Sequence, residues 1–196
     1  MENYNVEGVH LMGDNLKSLV KYCGQGVRFY PLFKMIHPQN GEFDDYCQIM
    51  DFVFIDAGKS FKIGKFSTIT WHCLIEGGAN TFIGNRVFIG PGSKILTSTY
   101  ELDGYYAIEH IPESCRATRY GDIILHDDAY IGANSTVLPG ITIGEGAVVG
   151  ANSLVNRNLK PWGIYYGNPI KLIGWREKPT DERRSIIESM DWTKNF

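Results

Sequence analysis

The chain has 196 residues, 43% apolar and 21% charged, which excludes a disordered or fibrous protein and leaves one ordinary domain with appendages. Its 19 Lys and Arg against 22 Asp and Glu give a formal charge of −3, so no basic surplus exists to neutralise nucleic-acid phosphates. No apolar run reaches the roughly 18 to 20 residues of a membrane span, and Met1-Glu2-Asn3-Tyr4 opens without a signal pattern, so the expectation is a cytoplasmic protein.

Residues 13–23 read as a short amphipathic helix ended by Gly24. A strand-like Val27-Arg28-Phe29-Tyr30 follows, then a Pro-containing lead-in, so residues 1–48 form an N-terminal helix and lead-in segment. From residue 49 a period of six takes over. Ile63-Gly64, Ile69 and Ile75, then after a two-residue slip Ile83-Gly84, Ile89-Gly90 and Ile95, place an aliphatic residue every sixth position. The pattern resumes at Leu125, Ile131-Gly132, Val137, Ile143-Gly144, Val149-Gly150 and Val155. Four positions after these aliphatics stand small or modest residues such as Ser67, Cys73, Ala79, Ser93, Ala129, Ser135, Ala147 and Ser153.

A period of six fits neither a 3.6-residue helix nor a two-residue strand alternation. It fits a prism in which each hexad is a short strand plus a turn, three hexads close one coil of 18 residues, and coils stack in parallel about 4.8 Å apart. Aliphatic and small positions both point inward, and the Gly after the aliphatic permits a tight corner or a conformation other residues resist. The repeats predict about five coils over residues 49–175. Hexads stop between Thr99 and Ile123, leaving an inserted loop over 100–122, a length that in a regular solenoid usually carries function. At the far end, residues 176–196 form a terminal helix with Thr180 as N-cap, acids in the first turn, and Ile186, Ile187 and Met190 as its apolar stripe. Both helices are expected to cap or brace the prism. Cys23, Cys47, Cys73 and Cys115 are scattered without a C-x-x-C pair, which argues against a zinc site or disulfide framework.

The [LIV]-G-x-x-[STAVC]-x hexads resemble those of the hexapeptide-repeat acyltransferases, as does Gly167-Asn168-Pro169-Ile170-Lys171, with Ile170 replacing the usual Ala. The resemblance covers residues 49–175 and implies an all-β solenoid, the left-handed parallel β-helix; handedness comes from the family alone. It implies transfer of an acetyl or other short acyl group from acyl-CoA to an amine or hydroxyl of a sugar, as in enzymes acting on nucleotide-linked amino sugars or surface-polysaccharide precursors. It also implies a homotrimer with active sites between subunits, the inserted loop helping to form each.

Thioester chemistry needs a base, oxyanion donors and alignment, but no covalent nucleophile and no metal. Ser98-Thr99-Tyr100-Glu101-Leu102 resembles the Ser-Thr/Ser-Asp-Asp-Phe opening of one polysaccharide-linked subgroup, which makes Glu101 the first candidate base, with Tyr100 where a second acid would stand. His110 in the loop and His72 on the prism are the alternatives; His10, His37 and His126 are taken as structural. Trp71, Tyr105, Tyr106, Arg119 and Tyr120 are candidate acceptor contacts. Gly132-Ala133 and Gly150-Ala151, 18 residues apart, offer a side-chain-free track for the pantetheine arm, ending at Pro169 and Lys171, with Arg176 and Lys178 as further phosphate contacts. Two other acceptor or role classes compete: an antibiotic acetyltransferase and a non-catalytic scaffold. A hexapeptide carbonic anhydrase requires two His five residues apart, and none of the five His has such a partner.

Overall fold

Short strands joined by abrupt corners cannot satisfy their own backbone groups, so each must pair with the coil below and the coil above. The computed structural model describes residues 11–191 and 194 and shows this stacking throughout; His10 lies outside the described residues. Coil one holds β1 (Tyr22–Cys23), β2 (Arg28–Phe29) and β3 (Lys34–Ile36), and coil two holds β4 (Gly41–Phe43), β5 (Gln48–Ile49) and β6 (Phe54–Asp56). Coil three comprises β7 (Ser60–Ile63), β8 (Thr68–Ile69) and β9 (Leu74–Glu76); coil four comprises β10 (Asn80–Ile83), β11 (Phe88–Ile89) and β12 (Lys94–Leu96). The chain then leaves the prism as β13 (Ser98–Glu101) and returns as β14 (Ala117–Tyr120). Coil five is β15 (Ile123–Leu125), β16 (Tyr130–Ile131) and β17 (Thr136–Val137); coil six is β18 (Thr142–Ile143), β19 (Val148–Val149) and β20 (Leu154–Val155). β21 (Gly163–Tyr166), β22 (Lys171–Trp175) and α1 (Asp181–Ser189) complete the described chain.

Three parallel sheets form the faces: β1-β4-β7-β10-β15-β18, then β2-β5-β8-β11-β16-β19 extended by β21 and β22, then β3-β6-β9-β12-β17-β20. The molecule is a parallel β-solenoid, consistent with the left-handed β-helix that the family resemblance implies. It has six coils where the hexads count about five, because the solenoid begins at Tyr22 and not at residue 49. The early coils also have 20 residues each, with Glu42 over Tyr22 and Lys62 over Glu42, whereas Thr142 sits 18 residues after Ile124. The two extra residues fall at the corner after the third face, and they account for the slip in the hexads.

Inside, Ile49, Ile69, Ile89, Ile131 and Val149 stack in one column and Met35, Ile55, Ile75, Ile95, Val137 and Val155 in another, all essentially excluded from water. The small positions are inward as expected, and their hydroxyls are satisfied: Ser67 donates to the Gly84 carbonyl (2.7 Å) and Ser93 to that of Gly132 (3.1 Å). Larger side chains close the ends. Phe29, Phe33, Phe43 and Phe61 form a cluster of tilted and edge-on rings at the first coils, covered by buried Leu16. Tyr165 and Ile170 are buried at the other end.

Corner geometry departs from expectation. Positive φ falls three residues after the inward side chain, whether or not a glycine follows it, at Tyr46, Phe66, Arg86 and Asp128 on one corner and at Phe52, His72, Asn134 and Asn152 on the next. The glycines after the aliphatics serve close approach instead: a Cβ on Gly132 would lie 2.5 Å from the Ala151 amide nitrogen.

Both terminal helices differ from the sequence reading. The first is a 3-10 turn over Gly13–Ser18 that buries Leu16, and Tyr22–Cys23 is already strand. α1 is capped by Thr180, whose hydroxyl accepts from the Arg183 amide (3.3 Å), yet none of its residues is buried, and Ile186 and Met190 are exposed. Charge holds α1 to the side of the prism: Arg184 reaches Asp128 (3.8 Å) and Glu145 (3.7 Å), and Asp128 pairs with Arg86 (2.7 Å). No helix among the described residues is long and apolar enough to cross a membrane.

Candidate active site

The interruption of the repeats is an ordered excursion. Its ends meet where the Gly121 amide donates to the Thr97 carbonyl (2.9 Å), so the coil closes beneath it as if nothing had been inserted. Directly above that point β13 and β14 pair antiparallel, with Ser98 opposite Tyr120, Thr99 opposite Arg119, Tyr100 opposite Thr118 and Glu101 opposite Ala117. Residues directly opposite share a face and neighbours alternate, so the ribbon has two distinct sides. Ser98, Tyr100, Thr118 and Tyr120 line one side; Thr99, Glu101, Ala117 and Arg119 occupy the other.

The first side roofs a cleft of about 430 Å³ against the third face of the prism. Its floor is Leu74, Glu76 and Leu96, the outward residues of β9 and β12, whose neighbours Ile75 and Ile95 point into the core. Thr99, at the ribbon's edge, and Glu109 and Arg116 complete the lining. Burial raises the Glu76 carboxyl above its ordinary value, opposed by a hydrogen bond with Ser98 and reinforced by Asp56 one coil below. The Tyr100 hydroxyl donates to Glu109 (2.8 Å), a bond that raises the Tyr100 pKa. Tyr120 lies over Gly78, whose positive φ and missing side chain admit the ring; a Cβ there would come within 2.7 Å of it. Sequence reasoning overlooked Glu76 and Arg116. The one available signal for Glu76 was a charge between Leu74-Ile75 and the bare Gly77-Gly78 corner.

The structure separates the three candidate bases. Glu101 is half-buried at the outer end of β13, on the side of the ribbon opposite Tyr100, where its Oε1 accepts from the Asp103 amide at 3.4 Å. His110 is exposed in the outer loop. His72 stands on the corner between the second and third faces, exposed and stacked on Phe52 (4.9 Å between centroids), with exposed Trp71 beside it. Among the predicted acceptor contacts only Tyr120 lines the cleft; Arg119 shares the Glu101 side, and Tyr105 and Tyr106 are exposed toward the loop's tip.

The residues named for the track stack in a column. Gly132 donates to the Val149 carbonyl (2.7 Å) and Asn152 to that of Ala133 (2.8 Å), which sets Gly132-Ala133 directly beneath Gly150-Ala151, with Ala151 exposed. Trp71-His72 occupies the same corner in coil three. Above Gly150 lies Tyr166, and Tyr166 pairs with Lys171, so Lys171 stands at the column's end next to the Pro169 turn. Arg176 and Lys178 do not. They stack on Trp162 at the corner between the first and second faces (5.7 and 5.4 Å), where Arg176 donates to the Asp128 carbonyl, because β22 runs antiparallel and carries its two ends to opposite corners. Among the described residues no group of three or more His, Cys, Asp or Glu is arranged to hold a metal.

The family described as bacterial transferase hexapeptide (six repeats) matches residues 122–157, which span coils five and six. Those two coils carry that family's hexapeptide repeat. Over 72 residues it is 39% identical to a probable macrolide acetyltransferase of Lysinibacillus sphaericus (37% of this chain, 39% of the relative), and over 132 residues 30% identical to a chloramphenicol acetyltransferase of Agrobacterium fabrum (60% and 61%). It thus spans only part of the length of these curated relatives. Among solved structures, a variant of AntD, an N-acyltransferase from Bacillus cereus, in complex with dTDP-4-amino-4,6-dideoxyglucose and coenzyme A, superposes with a TM-score of 0.83 at 26% identity, over 89% of this chain and 95% of that one.

Proposed function

We propose that the chain is an acyl-CoA-dependent acyltransferase that delivers an acetyl or other short acyl group to an amino or hydroxyl group of a sugar, the nucleotide-linked amino sugars being the leading class. The carrying observation is the match to AntD along nearly its whole length, in a complex that holds both coenzyme A and a dTDP-linked amino sugar. The Gly132-Ala133/Gly150-Ala151 column, partly open to solvent at Ala133, Gly150 and Ala151 and ending at Lys171, suits an extended pantetheine arm with phosphates at its end. Acyl-CoA supplies an already activated thioester, so the protein's task is alignment and proton transfer. Glu101 accepts the proton that the acceptor loses as it adds to the thioester carbonyl, with His110 and His72 as the alternative bases, and a backbone N–H of the glycine corners steadies the oxyanion. Tyr105, Tyr106, Arg119, Tyr120 and Trp71 contact the acceptor.

The working form in this reading is a homotrimer. Leu102, Tyr105, Tyr106 and Ile108 stay exposed in the single chain, a concentration of apolar surface on the loop that suits cover by a neighbouring copy. A second reading, acetylation of an antibiotic, draws on the match to chloramphenicol acetyltransferase. Release of free thiol from acetyl-CoA, measured across nucleotide amino sugars and chloramphenicol, decides between them. Turnover with one amino sugar supports the first reading and turnover with chloramphenicol alone the second. Silence with every acceptor favours a scaffold.

A further inference from the structure

The cleft under the ribbon contains an arginine that forms no ion pair among the described residues, although Glu76 and Glu109 share its lining. Arg116 stands at the entry to β14 and lines both this cleft and the adjoining depression bounded by Glu113, Thr118 and Tyr120. Its Nε is buried and has no hydrogen-bond partner. Among the described residues no carboxylate lies within ion-pair distance of its guanidinium, and Glu109 on the same cleft already accepts from the Tyr100 hydroxyl. Buried donors are nearly always satisfied, and a guanidinium presents parallel N–H groups that match the oxygens of a carboxylate or phosphate. Hydroxyls from Ser98 and Thr118 share the lining, and the Tyr120 ring supplies a flat apolar surface. Such an arrangement suits a polyhydroxylated ligand with one oxyanion.

We infer that this cleft binds the oxyanion of a hydroxylated ligand, a sugar carboxylate or a sugar phosphate, with Arg116 as its anchor. Glu76 also lies on the floor, where burial raises its carboxyl above the ordinary value and so eases its ionised form toward the acid when an oxyanion comes near. As a binding site the cleft is independent of acyl transfer. Its assignment to the charged end of the acceptor rests on the acyltransferase reading above.

Isothermal titration of the full chain with glucuronate, glucose 1-phosphate and glucose tests the inference. At least one of the two anions should bind roughly tenfold more tightly than glucose, and which one does so identifies the source of the oxyanion. Arg116→Gln should reduce that anion to the level of glucose while leaving the melting temperature unchanged. Should that variant fail to fold, the wild type still decides, since affinity for the anion must fall as sodium chloride rises from about 0.05 to 0.5 M. Equal or absent binding of all three ligands, full affinity in Arg116→Gln, or binding indifferent to salt overturns the site. The two proposals fail separately: a chain that binds the anion but releases no CoA keeps the site and loses the activity, and an active chain that ignores both anions does the reverse.

Discussion

Glu76 and Glu101 lie on opposite sides of the same ribbon, and their surroundings assign them different tasks. Glu101 faces away from the chain's own cleft, where a neighbouring subunit's donor track would have to meet it. Glu101→Gln should lower kcat about 10²-fold with little change in the KM for acetyl-CoA, read by thiol release; full activity removes Glu101 from the role of base. Glu76 has a folded pKa above its unfolded one, so folding favours its acid form and stability declines as pH rises through the folded value. Glu76→Gln should therefore melt higher than wild type at pH 8, by no more than about 2 °C given its partial exposure, and the gap should close at pH 4. A lower melting point at both values would mean that the carboxylate is favourable where it sits. Glu101 drew attention in the sequence because it stands where the period breaks. Glu76 and Arg116 did not, since outward positions of a hexad tolerate any side chain, and the ribbon register that turns Tyr100 and Thr118 toward the floor leaves no periodic trace.

At the level of strands and corners, the aliphatic period revealed coils three to six because Ile, Leu and Val fill the middle of the prism almost without exception. It missed the beginning, where Phe29, Phe33, Met35 and Phe43 take the same inward positions. Among the described residues no coil lies beneath the first, and large rings fill the volume that stacked aliphatics fill elsewhere. The corner glycines were found by pattern, but their reason is contact between stacked backbones. Gly132→Ala would drive a Cβ to 2.5 Å from the Ala151 nitrogen and 2.7 Å from the Gly150 carbonyl carbon, neither of which can swing aside. It should cost about 1–3 kcal/mol in denaturant unfolding. Gly174→Ala meets nothing within 4 Å and should lie within about 0.5 kcal/mol of wild type. Equal costs at both positions would show that close stacking is not what these glycines serve.

For the molecule as a whole, the solenoid has both ends plugged, so growth by end-to-end stacking is blocked and association must proceed through the sides. Sedimentation equilibrium at micromolar concentration should give three times the 22.1 kDa chain mass, and removal of residues 102–116 should abolish activity and weaken that assembly. A monomer in the intact protein would rule out a site shared between subunits. The exact recurrence of register carries a further implication. Phe61 sits over Gly41 and Thr81 over Phe61, so excising residues 62–81 would join equivalent points of adjacent turns and leave every inward side chain facing inward. Below the ribbon the chain is thus a ruler graduated in twenties, and above it one graduated in eighteens. Genetic gain or loss in those whole units changes the height of the column, and the corner after the third face absorbs surplus chain, whereas a single residue gained or lost within a strand rotates the greasy lining out into water.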